Sequence, residues 1–107
     1  VCSSDLAPIS ATGSNHIVFS DGDGNVRGYF NSSGHFLPGA DNTYNLGSTA
    51  NRWANIYTAD AHFSNEGTKG NSIDGTTGNW TLQEGENDIY MINNKTGKKY
   101  KIMLGEV

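Results

Sequence analysis

The chain has 107 residues, a formal net charge of −4 and a single cysteine, and these totals exclude several classes of protein. One cysteine cannot form a disulfide within the chain, so a secreted disulfide scaffold is excluded. The mild acidity disfavours a nucleic-acid partner, and no apolar run approaches the ~20 residues of a membrane-spanning helix.

The composition indicates short strands, many turns and little core. Leu, Ile, Val and Phe account for 20 of the 107 residues, close to the ~20% level below which a core is hard to build. Aromatic residues make up 10% of the chain, which argues against disorder. Gly (14) and Asn (13) supply the left-handed positions of tight turns. We therefore predict an all-β fold of short antiparallel strands and hairpins that gains stability by association with other chains.

The first six residues, VCSSDL, have a plausible non-native origin. One set of codons for them, GTG TGC TCT TCC GAT CT-, resembles the end of a common sequencing adapter. We expect residues 1–6 to be a non-native leader, with a natural linker as the alternative, and we assign Cys2 no role.

Residues 7–40 are predicted to be a β-hairpin region. Strand-forming residues at 16–20 and 26–30 flank the turn-rich sequence DGDGN at 21–25. After a further turn, residues 35–37 are predicted to be a third short strand.

The sequence NLGSTANRWANIY, residues 45–57, places three large apolar side chains among polar residues. Trp53, Ile56 and Tyr57 recur at positions i, i+3 and i+4, which is the spacing of one helical face. We predict a single helical turn over residues 50–53 that leads into a strand.

Residues 58–64 are predicted to be that strand, because small or apolar residues alternate with polar ones. The sequence then becomes rich in Gly, Asn, Ser and Thr. We therefore divide this part of the chain into a segment at 41–66 and a polar loop at 67–78.

Residues 79–107 are predicted to be a three-stranded antiparallel meander, with strands at 79–84, 88–93 and 98–104. The last hairpin is predicted to have a three-residue loop that ends at a left-handed glycine.

That loop length fixes the predicted register of the last hairpin. With Gly97 in the left-handed conformation, Ile92 pairs with Tyr100 and Tyr90 pairs with Ile102. These four side chains would then share one face of the sheet.

The sequence contains no complete metal-binding pattern. The DGDGN loop lacks the glycine and glutamate that a calcium-binding EF-hand loop requires, since Val26 and Ser32 stand at those positions. A β-turn is the better interpretation. Three histidines are far apart in sequence, although one from each chain of a trimer could meet on the axis. They are His16, His35 and His62.

No catalytic or cofactor-binding motif is present either. Glu84, Glu86 and Asp88 could be an acid/base group like that of a glycosidase, but a solvated turn has the same composition. We predict no enzyme activity, no catalytic residue and no cofactor. Four aromatic residues could stack on sugars, although core or subunit contacts explain them better: Tyr44, Trp53, Tyr57 and Trp80.

Two stretches carry a family resemblance. Residues 45–57 resemble the LGS-x-x-x-RW-x-x-IY segment of bacteriophage tail fibres and related virion proteins. Residues 78–107, GNWTLQEGENDIYMINNKTGKKYKIMLGEV, are similar to C-terminal ends of such proteins. The region that contains the two stretches is roughly residues 41–107, and the similarity suits a C-terminus at Val107.

The resemblance implies an elongated, intertwined homotrimer located in the phage tail of the virion. The implied role is structural and trimerising, with a contribution to host receptor binding through a cell-surface glycan or protein. We expect trimer or core packing to involve eight residues: Trp53, Ile56, Tyr57, Trp80, Tyr90, Ile92, Tyr100 and Ile102.

Two alternatives belong to other classes of protein. A fragment of a polysaccharide-degrading tailspike predicts clustered carboxylates in a groove. A sugar-binding or adhesin module predicts a folded monomer, so the oligomeric state separates it from a fibre.

Overall fold

The computed structural model describes residues 16–107, which form seven short β-strands in two antiparallel sheets. The predicted all-β antiparallel class is confirmed. No helix long and apolar enough to cross a membrane occurs in this range. The predicted leader at 1–6, and the part of the 7–40 region before His16, lie outside the described residues.

Two compact units divide the chain, with the division between Trp53 and Ala54. The first contains the three-stranded sheet, here sheet A, and the second contains the four-stranded sheet, here sheet B. The predicted segment 41–66 extends across this division, and the segment boundaries stay predictions.

Sheet A consists of β1 (Ile17–Ser20), β2 (Val26–Phe30) and β3 (Phe36–Pro38), in that order. All three agree with the strands predicted from sequence to within a residue. The β1–β2 register shifts between Phe19 and Ser20, where a bulge precedes the turn.

The turn between β1 and β2 forms as its sequence predicts. The Asp21 N–H donates to the Asn25 carbonyl (3.0 Å), and the Gly24 N–H donates to the Asp21 carbonyl (3.1 Å). Gly24 has φ 83°, a left-handed conformation that disfavours residues with a Cβ.

Sheet B consists of β4 (Ala61–Ser64), β5 (Asn79–Glu84), β6 (Ile89–Asn93) and β7 (Lys99–Lys101), in that order. The predicted C-terminal meander is therefore present, but it is four-stranded. β4 joins it by pairing with β5 across the intervening loop, which sequence reasoning did not predict.

The predicted helical turn at 50–53 is wrong, because residues 45–57 contain neither helix nor strand. Ser48 closes a bend instead. Its N–H donates to the Asn51 carbonyl (2.9 Å), and its hydroxyl accepts from the Asn51 N–H (3.0 Å). Serine and asparagine compete with helical hydrogen bonding in this way.

Two predicted strands are shorter in the structure than in the sequence-based prediction. The strand predicted at 58–64 begins at Ala61, after the Thr58 hydroxyl donates to the Asp60 carbonyl (2.9 Å). The strand predicted at 98–104 is β7, with only three residues.

The predicted register of the last hairpin is wrong by one residue. Tyr100 lies opposite Met91, and Ile92 lies opposite Lys99. The loop has four residues rather than three, because Asn93 pairs with Lys98 through an N–H to carbonyl bond of 2.9 Å.

The Asn93 side chain explains the extra loop residue. Its Oδ1 accepts from the N–H groups of Lys95 (3.0 Å) and Thr96 (3.4 Å), which curves the chain directly after β6. Gly97 is left-handed as predicted, with φ 78°, and its N–H donates to the Asn93 carbonyl (2.8 Å).

Candidate assembly surfaces

The apolar residues predicted for assembly in the 45–57 segment are exposed. The exposed fractions are 64% for Trp53, 73% for Ile56 and 92% for Tyr57. Trp53 lies beside Gly47: a Cβ atom added at Gly47 would be 3.5 Å from the Cδ1 atom of Trp53. Trp53 belongs to the first unit, whereas Ile56 and Tyr57 belong to the second.

Little apolar surface is buried in the part of the chain that the structure describes. Val18 is its one buried apolar side chain, and none of its side chains is completely enclosed. Burial of apolar surface is the main favourable term in folding. The two sheets therefore leave most of their apolar side chains at least partly available to other chains.

One side of sheet B, here the aromatic face, carries most of the large apolar side chains of the sheet. Trp80 and Tyr100 pack against each other with ring centroids 5.7 Å apart. Two aromatic side chains at its borders remain open, since Phe63 is 55% exposed and Tyr100 is 48% exposed. The strand register places seven large apolar side chains on this face: Phe63, Trp80, Leu82, Ile89, Met91, Tyr100 and Ile102.

The opposite side of the same sheet, here the polar face, carries mainly polar side chains. It consists of His62, Thr81, Gln83, Tyr90, Ile92, Lys99 and Lys101. Tyr90 and Ile92 therefore lie on the side opposite Trp80 and Tyr100. The prediction that Tyr90, Ile92, Tyr100 and Ile102 share one face is wrong, because the one-residue register error moves β7 side chains across the sheet.

A hydrogen-bonded group on the polar face buries the Thr81 side chain. His62 Nδ1 lies 2.8 Å from the Thr81 hydroxyl oxygen, and the Asn94 amide donates to the same oxygen at 2.9 Å. Asn94 also donates to the Asn79 amide oxygen at 2.8 Å. This group ties β4, β5 and the loop after β6 together through polar contacts.

A second polar cluster holds the turn of sheet A. Asp21 Oδ1 accepts from the backbone N–H groups of Asp23 (2.9 Å) and Asn25 (3.0 Å). Asp21 Oδ2 accepts from Arg27 Nε (3.1 Å) and Nη2 (2.7 Å). The Asn25 N–H and then the Arg27 guanidinium hold the pKa of Asp21 well below its ordinary value.

Arg27 also anchors an aromatic side chain. Its Nη1 donates to the Tyr44 hydroxyl at 2.8 Å, and its Cζ lies 5.3 Å from the Tyr44 ring centroid. The Asp21 carboxylate and the Tyr44 hydroxyl raise the pKa of Arg27. Tyr44, a candidate for sugar stacking, is thus engaged within its own unit.

Sequence reasoning missed an aromatic cluster on sheet A. Phe36 lies 4.9 Å from Phe30 and 5.9 Å from Phe19, measured between ring centroids. Gly28 makes room for it, because a Cβ there would lie 3.1 Å from the Phe36 ring. The register puts Phe19, Gly28 and Phe30 on one side of the sheet. The sequence predicted the β1–β2 hairpin, but it gave neither this register nor the pairing of the third strand.

The candidate catalytic and metal-binding residues are not assembled into a site. Glu84 and Glu86 are exposed beside the turn that joins β5 to β6. In that turn the Gly85 N–H donates to the Asp88 carbonyl at 2.7 Å. Within residues 16–107 no three His, Cys, Asp or Glu side chains are grouped so that they could hold a metal ion.

An open groove of about 520 Å³ lies where β4 meets the loop at 65–78. Trp80 and Phe63 contribute aromatic surface to it, and Asn71 and Thr77 contribute polar groups. The Asn71 amide is used within the loop, where it donates to Asp74 (2.7 Å) and to the Thr76 carbonyl (3.0 Å). The Thr76 backbone N–H, followed by its hydroxyl, lowers the pKa of Asp74.

No protein-family model, curated protein or solved structure matches this chain. The resemblance of residues 45–57 and 78–107 to tail-fibre segments therefore depends on the residues quoted for it alone.

Proposed function

We propose that this chain is the C-terminal part of a homotrimeric bacteriophage tail fibre or a similar virion appendage. Its role is structural and non-enzymatic: it folds and holds the end of the fibre, and it contributes to contact with a host glycan or protein. The sequence resemblance in residues 45–57 and 78–107 supplies the identity of the appendage.

The exposure of Trp53, Ile56 and Tyr57 is the observation that carries the proposal. Large apolar side chains that lie together in sequence and face solvent are typical of a surface that another chain covers. Three copies of the segment would bring nine such side chains together, which removes apolar area from water that one chain leaves exposed.

The test is the molar mass of the purified chain, measured by sedimentation velocity and light scattering over a range of concentrations. We expect a species of three chains. A chain that stays monomeric at the highest concentration, and melts cooperatively on heating, would exclude the fibre assignment.

A matched pair of variants locates the contact. Trp53→Gln with Tyr57→Gln should weaken trimerisation, because both side chains lose their apolar surface. Ile73→Gln is the control, since Ile73 is about as exposed as Tyr57 but lies in the polar loop. Equal effects of the two changes would mean that the 45–57 segment has no special part in assembly.

The groove beside β4 favours one alternative, a sugar-binding module. Aromatic rings next to hydroxyl groups suit a neutral saccharide, which stacks on a ring and exchanges hydrogen bonds at its edge. A monomer that binds host polysaccharide, and loses binding in Phe63→Ala, would support this function over the fibre. Release of reducing ends from that polysaccharide would instead support the tailspike alternative.

A further inference from the structure

We propose that the two open edges of sheet B pair with each other between copies of this chain, with β4 of one copy against β7 of the next. The inference rests on the proposed homotrimer and adds which surfaces form it. The partner is a second copy of the chain, and the contact is head-to-tail.

Within residues 16–107, each outer strand of sheet B has backbone N–H and C=O groups that no neighbouring strand uses. The hydrogen bond from the Asn65 N–H to the Gly78 carbonyl fixes the alternation on the β5 side of β4. Because antiparallel pairing uses every second residue, the backbone groups of His62 and Ser64 point away from β5. On β7 the bond from the Ile102 N–H to the Ile89 carbonyl leaves those of Lys99 and Lys101 pointing outward.

On both edge strands, the residues whose backbone groups point outward have their side chains on the same side of the sheet. His62, Ser64, Lys99 and Lys101 all lie on the same side of the sheet as Thr81, the polar side. Antiparallel pairing of His62 with Lys101 and of Ser64 with Lys99 therefore continues the sheet without exchanging its sides. The same register places Phe63 opposite Tyr100 of the next copy, which joins the two exposed aromatic rings at the borders of the aromatic face.

Charge selects this pairing over the symmetric ones. Asp60 and Glu66 flank β4, whereas β7 carries Lys99 and Lys101. In the head-to-tail register Asp60 is diagonal to Lys101, so opposite charges meet. Glu66 is diagonal to Lys99, although its carboxylate already lies 3.7 Å from Lys95 Nζ of its own chain.

The two symmetric alternatives place like charges opposite each other. Pairing of β7 with β7 sets Lys99 against Lys101, and pairing of β4 with β4 sets Asp60 against Glu66. Directly opposed like charges are destabilising. Head-to-tail contacts generate a closed ring when the rotation closes, which is the arrangement that a trimer needs.

Closure of the ring accounts for the two sides of sheet B. In the closed ring the aromatic face, with Trp80, Leu82 and Met91, turns toward the threefold axis. The polar face, with Lys99 and Lys101, turns toward solvent. Sheet A offers a poorer edge of this kind, because Pro38 on β3 has no N–H to donate.

Disulfide trapping tests the register directly. In a Cys2→Ser background, Ser64→Cys and Lys99→Cys are combined in one chain and oxidised mildly. Directly opposed residues have Cα atoms about 5.5 Å apart, which a disulfide can span. We expect covalent dimers and trimers on a non-reducing gel from the double variant and none from either single variant. Dimers from Ser64→Cys alone would show β4 against β4 and overturn the proposal.

A charge swap tests the same edge without new bonds. Lys101→Glu should raise the concentration at which the trimer dissociates by about tenfold, because the repulsion recurs at three junctions. Asp60→Lys in the same chain should restore it. Lys69→Glu, which changes the net charge equally in the polar loop, should leave it unchanged.

The failures are distinguishable. A wild-type chain that never associates overturns both the fibre proposal and the edge pairing. A wild-type trimer that ignores Lys101→Glu, and forms no disulfide in the double variant, overturns the edge pairing alone.

Discussion

Trp80 and Tyr100 pack against each other across an intervening strand, with ring centroids 5.7 Å apart and ring planes 42° apart. Trp80 lies on β5 and Tyr100 lies on β7, so the contact passes over β6. It exists because Tyr100 stands opposite Met91 and not opposite Ile92. The four-residue loop after Asn93 thus decides which residues form the small core of the second unit.

Tyr100→Ala is expected to lower the free energy of unfolding of the second unit by about 1–3 kcal/mol. The change removes the buried half of the Tyr100 ring. It also removes the contact with Trp80, and such an aromatic pair contributes ~0.5–1.5 kcal/mol in addition to the burial of apolar area. Urea denaturation at one protein concentration measures the change. Ile73→Ala, at a position that is 94% exposed in the polar loop, is the control and should cost less than about 0.5 kcal/mol. An equal cost at the two positions would mean that the Trp80–Tyr100 contact does not stabilise the unit.

Gly39→Ala is expected to destabilise sheet A by about 1–3 kcal/mol. A Cβ atom at Gly39 would overlap the Val26 carbonyl oxygen. The β2 backbone cannot move away there without breaking the bond from the Gly39 N–H to the Arg27 carbonyl (3.0 Å). Thermal melting followed by circular dichroism measures the loss. Gly22→Ala is the matched control, because nothing lies within 4 Å of a Cβ there.

Asp21 should make sheet A less stable in acid. Its pKa is depressed in the folded chain, so the unfolded chain takes up the proton first. Its stabilising contribution is therefore complete above the ordinary carboxyl pKa of about 4 and is lost as the pH falls further. Asp21→Asn should lower the melting temperature at pH 7, and the difference from wild type should shrink toward pH 2.

The control for this pH dependence is Asp41→Asn, which lies outside the Asp21 hydrogen-bond cluster. Its difference from wild type should not follow the same curve. A difference between wild type and Asp21→Asn that stays constant from pH 7 to pH 2 would mean that the negative charge of Asp21 does not stabilise the fold.

Thr81→Val should destabilise sheet B by about 1–2 kcal/mol. The change keeps the shape of the side chain but removes the oxygen that His62 and Asn94 share. Thr49→Val, at an exposed position, should change stability by less than about 0.5 kcal/mol. Similar costs at the two positions would show that the buried hydroxyl contributes nothing.

Local alternation was enough to predict β1, β2, β5 and β6, because each strand carries its period-2 pattern within a few residues. The turns at 21–25 and at Gly97 were predicted for a similar reason. Their Gly and Asn residues favour the left-handed conformations of turns and disfavour strands. Because these features depend only on residues that are close in sequence, they can be predicted from the sequence.

Pairing between distant residues was harder to predict. β4 joins β5 across a 14-residue connection, residues 65–78, whose length gives no register. Tyr90 and Tyr100 lie on opposite faces because the last hairpin loop has one residue more than predicted. The Asn93 side chain causes this by accepting a hydrogen bond from the Lys95 N–H. The cluster of Phe19, Phe30 and Phe36 required knowledge of three strand partners at once. Sequence therefore identified most strands but not the faces that they build.

Trp53 offers a spectroscopic test of assembly. The Trp80→Phe variant leaves Trp53 as the one tryptophan, and its ring is mostly exposed in a single chain. If three copies cover it, quenching of its fluorescence by acrylamide should weaken as the concentration rises through the range in which trimers form. A reporter chain with Trp53→Phe, Trp80→Phe and Ile73→Trp should show constant quenching, because residue 73 lies in the polar loop. Trimers in which Trp53 stays as quenchable as the reporter would place the contact elsewhere, on sheet B or sheet A, and would remove the 45–57 segment from the assembly surface.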